Sequence, residues 1–339
     1  MVGMVFASFS FRLKVEVEAL NMVEALGAYG RHRTVSILKP RPDGRGYRVV
    51  IAPAVSGQAV AYGYMKTLVE LADKLGLPVC DECKNYAARG GFTKHGTAKE
   101  SDMEELFKKY GVSGSNDLKE LALISECIVE DLTGFMVPNV GIRRTSPVQF
   151  SYMVPDVESS DVAIDPQFHV RAPMPGQSPQ PFQVEAGTAV YTLSVFIDCD
   201  KIGTTSDGKP VNDREERVKA ALLGLSVLLE GLAFGAKKAR YLPVYEVSGA
   251  VAAVSSPLSF VVSPARVTKS SNYIKDTIDR AAKYAELLRD LGEHVDIVYF
   301  DNEGLLPEAP SGVEKVNSLS ELVGEVKRLV LEALQKGGR

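Results

Sequence analysis

Hydrophobic and polar residues alternate with period two near the start of the chain. Phe9, Phe11, Leu13, Val15 and Val17 alternate with Ser10, Arg12, Lys14, Glu16 and Glu18, which predicts a β-strand with one wet face. The stretch from Leu20 to Gly46 reads as a loop, punctuated by Gly27, Gly30, Pro40, Pro42 and the Asp43–Gly44 turn signal. Tyr47 to Ala52 is a short strand. From Gln58 to Leu75 the period changes to that of a helix: Val60, Tyr64, Leu68, Leu71, Ala72 and Leu75 share one face. Ser56 suits its N-cap and Gly76 its stop.

Residues 77 to 130 break this rhythm and predict an inserted helical and loopy lobe, with a helix from Ser101 to Tyr110. Strand character resumes over Val148 to Val154. Five prolines in the sixteen positions 166–181 exclude a helix or a central strand and predict an extended arm or a hairpin tip. Beyond it the patterns predict a strand (Thr188–Ile197), an apolar helix (Arg217–Phe234) and a second strand (Pro243–Val254). A helix (Tyr273–Leu291), a strand (His294–Phe300) and a closing helix (Leu319–Leu334) follow. This is an α+β plan, compatible with a ferredoxin-like or RRM-like core. That core divides into 1–76 and 131–255, with the lobe at 77–130, the arm at 166–184 and α/β elements at 256–339 packed against it.

At 339 residues the chain is long enough to bury a core without disulfides. No apolar run is long enough to span a membrane, and the N-terminus reads as a strand and not as a leader, so the expected compartment is the cytoplasm. The net charge of −4 argues against an evenly basic nucleic-acid binder. The charges are segregated, however. Residues 29–48 hold six Arg/Lys against one acid; residues 132–155 hold Arg143 and Arg144 with no acid; residues 232–245 hold Lys237, Lys238 and Arg240 with no acid. Such loops either converge into one positive groove for a single strand or lie scattered in solvent.

Signatures for nucleotide-binding loops, serine hydrolases and zinc peptidases are missing. His32, between Arg31 and Arg33, and His169, near Arg171, are two histidines beside arginines. They suit either a metal-independent ribonuclease pair or RNA contacts without chemistry. His294 opens an apolar strand and reads as structural. The turn at Ser56-Gly57-Gln58 is either a phosphate site at a helix N-terminus or an ordinary cap. Cys80-x-x-Cys83 is a weak zinc signal, which His95 and Cys127 could complete; the blander readings are thiols on a turn or a local disulfide. No cofactor or metal is assigned.

Taken together these motifs resemble the archaeal CRISPR-associated DevR-type autoregulator family, the backbone subunit of type I-A Cascade. The matching strings begin with Ala19-Leu20-Asn21 (with Glu24 and Gly27), His32-Arg33-Thr34, Pro53 to Ala59 and Gly134-Phe135-Met136. Arg143-Arg144-Thr145-Ser146, Ser151 to Pro155 and Gln167 to Arg171 follow. The C-terminal half adds Lys238 to Pro243, Tyr273-Ile274-Lys275 and Asn302-Glu303-Gly304. Each is weak alone; their order over nearly the whole chain makes the match specific. The resemblance implies a modified RRM-like core with inserted lobes and a thumb, and no catalytic role. Copies would stack into a helical filament along crRNA, beside other Cascade subunits, leaving bases free to pair with target DNA. It carries RNA contact onto Asn21, His32, Arg33, Ser56, Gln58 and His169. Arg31, Arg143, Arg144, Arg171 and the Lys237-Lys238-Arg240 loop join them as basic neighbours, and the Pro-rich arm is the candidate thumb. The competing classes are an RRM-like endoribonuclease and a DNA-binding autoregulator; the latter lacks a recognisable helix-turn-helix.

Overall fold

The computed structural model describes residues 4–26, 29–112, 116–173, 175–176 and 178–337. Gly27, one of the matched positions, lies outside them. The strands are β1 (Phe6–Glu18), β2 (Met22–Leu26), β3 (Tyr29–His32), β4 (Thr34–Pro40), β5 (Tyr47–Pro53), β6 (Phe135–Val137) and β7 (Ile142–Arg144). They continue as β8 (Val148–Phe150), β9 (Val154–Pro155), β10 (Ala163–Arg171), β11 (Gln180–Asp198), β12 (Val244–Ser256), β13 (His294–Asp301) and β14 (Val313–Lys315). The helices are α1 (Gly57–Leu75), α2 (Asp81–Lys84), α3 (Glu100–Lys109), α4 (Asn116–Glu126) and α5 (Ile128–Thr133). The remaining three are α6 (Arg214–Glu230), α7 (Tyr273–Leu287) and α8 (Leu319–Gly337).

A ten-stranded mixed sheet runs β14-β13-β12-β1-β11-β3-β2, with β8, β9 and β10 also pairing with β11. β1 is antiparallel to both β11 and β12. Its odd positions, Phe9, Phe11, Leu13 and Val15, face the helical layer of α1, α6 and α8 and are fully buried. The expected wet face of β1 holds at Lys14 and Glu16 but not further back. Ser8, Ser10 and Arg12 are buried under the segment 257–267, which arrives from the far end of the chain. Arg12 is matched there by Asp156 (2.7 Å) and by Glu303 (2.5 Å), which explains an acid at the Asn302-Glu303-Gly304 string. The alternation also ends early. At Val17, with φ of 55°, the register slips, so Val17 turns outward and Glu18 is buried instead.

The segment 20–46 is not a loop. It contains β2, β3 and β4, and β4 with β5 forms a separate two-stranded ribbon. Its inner face (Ile37, Ala52) packs on Val157, and its outer face leaves Leu38, Tyr47, Val49 and Ile51 exposed. The expected α1 forms, with Ser56 Oγ accepting from the Ala59 N–H (3.2 Å) and Gly76 left-handed at its end. Gly57 is required at its start, because a Cβ there would lie 2.6 Å from the Phe150 carbonyl oxygen.

The lobe has its own small core. Met103, Leu106 and Phe107 of α3 and Leu123 of α4 pack with Phe135 and Ile142 of the β6–β7 hairpin. The proline-rich stretch is the turn end of the β10–β11 hairpin. Pro166 sits within β10, which among the described residues pairs only with β11 and needs no N–H on its outer side, and Pro181 lies at the turn end of β11. Met174 and Gln177 lie outside the described residues. The apolar helix α6 ends at Glu230, earlier than the sequence pattern predicts.

Candidate nucleic-acid interface

Period-two geometry sorts the basic strings. On β3, His32 points inward while Arg31 is exposed and Arg33 half-buried. The His32 side chain is fully buried, with Nε2 2.6 Å from Glu18 Oε1 and Nδ1 2.7 Å from the Arg33 carbonyl oxygen. Burial pulls the imidazole pKa down, but the Glu18 hydrogen bond and charge outweigh it and the net shift is upward. Glu18 also accepts from Tyr191 Oη (2.8 Å) and from the Leu20 N–H (2.7 Å). His32 is therefore sealed, and the expectation that it contacts RNA is corrected. It holds β3 against β1, and it cannot serve as half of a solvent-facing ribonuclease pair.

The same alternation places Arg143 outside and Arg144 inside on β7. Arg144 donates to Glu120 Oε1 and to Asp131 Oδ1, each at 2.7 Å, and to the carbonyls of Asp131, Lys201 and Thr204. Asp131 is shared with Arg217 (3.1 Å). Its carboxyl is pushed up by burial, with the two guanidinium charges pulling against that shift. Arg144 thus anchors the lobe to the body and offers nothing to a ligand, a second correction. Arg143 stays exposed on the β6–β7 hairpin.

Asn21 Oδ1 accepts from the Ser56 N–H (2.8 Å), and the Arg33 N–H donates to the Asn21 carbonyl (2.8 Å), so one residue joins β1, β3 and the start of α1. Ser56 is buried and its hydroxyl caps α1, so of the two readings of this turn the side chain fits the cap. Gln58, two residues on, is exposed. The loop after α6 docks on the same corner: the Ala236 N–H donates to the Leu20 carbonyl (2.8 Å), and a Cβ on Gly235 would lie 2.6 Å from Leu20. Lys237 and Arg240 are exposed on this loop. Lys238 donates to the Leu232 carbonyl, and burial followed by the nearby Lys66 charge lowers its pKa.

His169 extends the corner onto the hairpin. It hydrogen-bonds Tyr241 Oη through Nε2 and stacks on its cross-strand partner Phe182, with ring centroids 5.0 Å apart. Phe168 and Arg171 beside it are exposed. Asn21, Arg31, Arg33, Gln58, His169, Lys237 and Arg240 are thus linked through β3, the α1 start and the 235–241 loop. Among the described residues Arg143 is not joined to this group; it lies on the β6–β7 hairpin. Phe182 escaped the sequence reading, because only the hairpin register brings it to His169, and Tyr241 stands out in the sequence only as part of the Lys238–Pro243 string, with no partner assigned. A basic, aromatic-bearing corner of this kind can hold phosphates and stack a base.

The lobe carries the groups suited to a metal. Cys80, Cys83 and Cys127 are buried free thiols whose Sγ atoms lie within 4.8 Å of one another. Cys80, Glu82 and His95 form an overlapping group within the same spread.

The family model described as CRISPR-associated negative auto-regulator DevR/Csa2 matches residues 9–278. CRISPR-associated protein Cas7/Csa2 1 of Saccharolobus solfataricus is 35% identical over 300 residues, covering 85% of this chain and 91% of that protein. The aCascade subunit Cas7/Csa2 2 of the same organism is 32% identical over 335 residues, covering 93% and 98%. A chain of a solved CRISPR RNA-guided surveillance complex, caught pre-nicking, shares the fold at a TM-score of 0.52 and 11% identity. That match covers 96% of this chain and 100% of the other. The family match spans most of the sheet and the whole basic corner, and on it the chain belongs to the CRISPR-associated DevR/Csa2 family.

Proposed function

We propose that the chain is a non-catalytic backbone subunit of a type I-A Cascade complex that binds crRNA and stacks with copies of itself along the guide. The observation that carries this is the corner itself. Residues far apart in sequence are joined there: Asn21 and the loop carrying Lys237 and Arg240 dock beside the start of α1, and His169 joins that loop through Tyr241. Lys and Arg contacts to phosphate give affinity without sequence preference, which leaves base identity to pairing with target DNA. The order β12-β1-β11-β8, with α1 and α6 as crossovers, supports a ferredoxin-like, RRM-like core. The usual open face of such a sheet is covered here, so the RNA would lie along the sheet's edge corner.

The β10–β11 hairpin is the proposed thumb, and the apolar outer face of the β4–β5 ribbon is a surface that a neighbouring copy could cover. Burial of His32 speaks against the ribonuclease reading. The test is electron microscopy and nuclease protection with a long single-stranded RNA. Helical arcs and intact, protected RNA are expected; cleaved ends, or preference for duplex DNA, would overturn the proposal.

A further inference from the structure

The neck of the inserted lobe gathers four groups that RNA binding does not use. Cys80 caps α2, Cys83 lies within α2, Cys127 caps α5, and His95 lies on the 3-10 turn Lys94–Thr97. The two ends of the lobe are already joined there, since the Ile128 N–H donates to the Pro78 carbonyl (2.9 Å). The three Sγ atoms lie within 4.8 Å of one another. Thiolates on one tetrahedral zinc sit about 3.8 Å apart, given Zn–S of about 2.3 Å, so a small inward movement makes three ligands. His95 has a ring nitrogen within the same 4.8 Å of Cys80 Sγ. Its Nδ1 is 2.7 Å from Glu130 Oε1, and the same oxygen accepts from the His95 N–H at 2.7 Å.

That buried carboxylate fixes the ring and leaves Nε2 for another partner, which is how carboxylates orient metal-bound histidines. Glu82 Oε2, 3.7 Å from Nε2, is the competing occupant. All four cysteines are free, so no disulfide explains the cluster, and the fourth, Cys199, lies elsewhere in the main core. A free cysteine can pack as a small apolar side chain, but three thiols converging beside a carboxylate-held histidine are the donor set that a closed tetrahedral site needs.

We infer that Cys80, Cys83, Cys127 and His95 form a structural zinc site that staples the neck of the lobe, with Glu130 positioning the histidine. The ion would tie α2, the 3-10 turn and α5 together where the lobe leaves and rejoins the body. With His95 drawn in beside Cys80 as the fourth ligand, it would have no open position for substrate.

The test uses the full-length chain, purified reduced, with Zn2+ and Co2+ as probes. After zinc loading and desalting, elemental analysis should find about one zinc per chain, and Co2+ should give a thiolate-to-metal charge-transfer band of a tetrahedral site. Cys80→Ser and Cys127→Ser should lose both signals, and Cys199→Ser should keep them. Glu130→Gln should weaken metal affinity by about 10–100-fold. His95→Ala should change the cobalt ligand-field bands; unchanged bands would overturn His95 as the fourth ligand. A fully reduced wild-type chain that retains no zinc and shows no charge-transfer band would overturn the site, whether or not the variants fold.

Discussion

Arg144 separates a buried anchor from an RNA contact, and its removal has a magnitude that follows from the structure. Arg144→Ala deletes hydrogen bonds to Glu120 Oε1 and Asp131 Oδ1 and to three carbonyls. Glu120 keeps the Ser206 N–H (3.0 Å), and Asp131 keeps Arg217 and the Gly203 N–H (2.9 Å), so neither carboxylate is fully orphaned. Breaking a buried pair from one side destabilises by about 3–5 kcal/mol, and the remaining partners favour the lower end. With a urea slope of about 3 kcal/mol per molar for a chain of this size, the midpoint should fall by about 1 M. The chain has no tryptophan, so circular dichroism is the appropriate signal. Arg143→Ala, exposed one residue away, should move the midpoint by no more than about 0.5 kcal/mol equivalent. RNA affinity of the folded Arg144→Ala protein should match wild type. An unmoved midpoint together with weakened RNA binding would refute the anchoring role and restore Arg144 to the binding surface.

His169→Ala should weaken single-stranded RNA binding while leaving the circular dichroism spectrum intact, and Tyr241→Phe should give a smaller loss in the same direction; unaltered affinity in both would remove the hairpin from the interface. Replacing Lys237 and Arg240 by serine should flatten the slope of log affinity against log salt by about 1.4, at about 0.7 per phosphate contact. Lys238→Ser, whose ammonium is already held by the Leu232 carbonyl, should change that slope less. The His32–Glu18 pair makes stability pH-dependent. Because the imidazole pKa is raised on folding, its contribution is complete below about pH 6.5 and is lost as pH rises through the higher folded value. Thermal melts across that window should show this loss in wild type and less of it in Glu18→Gln; identical profiles would show that the pair is not coupled.

Much of the scaffold was legible locally. The alternation from Phe9 to Val15, the apolar face of α1 with its Ser56 cap, and α8 each follow from short-range rules of side-chain spacing and backbone capping. The strings that mark the family were also readable, because they are fixed by order along the chain. Tertiary structure decided which polar groups face water. Arg12 looks like a wet-face residue until a segment about 250 positions away covers it, and Asp156 and Glu303, from two other parts of the chain, supply the matching acids. Arg31-His32-Arg33 and Arg143-Arg144 look uniformly basic, yet the two-residue period of a strand sends His32 and Arg144 inward and leaves their neighbours outside. The convergence of the Lys237–Arg240 loop with His169 depends on one hairpin register and one docking contact at Leu20. Burial and pairing depend on long-range contacts, and these are settled only when the strands have chosen their neighbours.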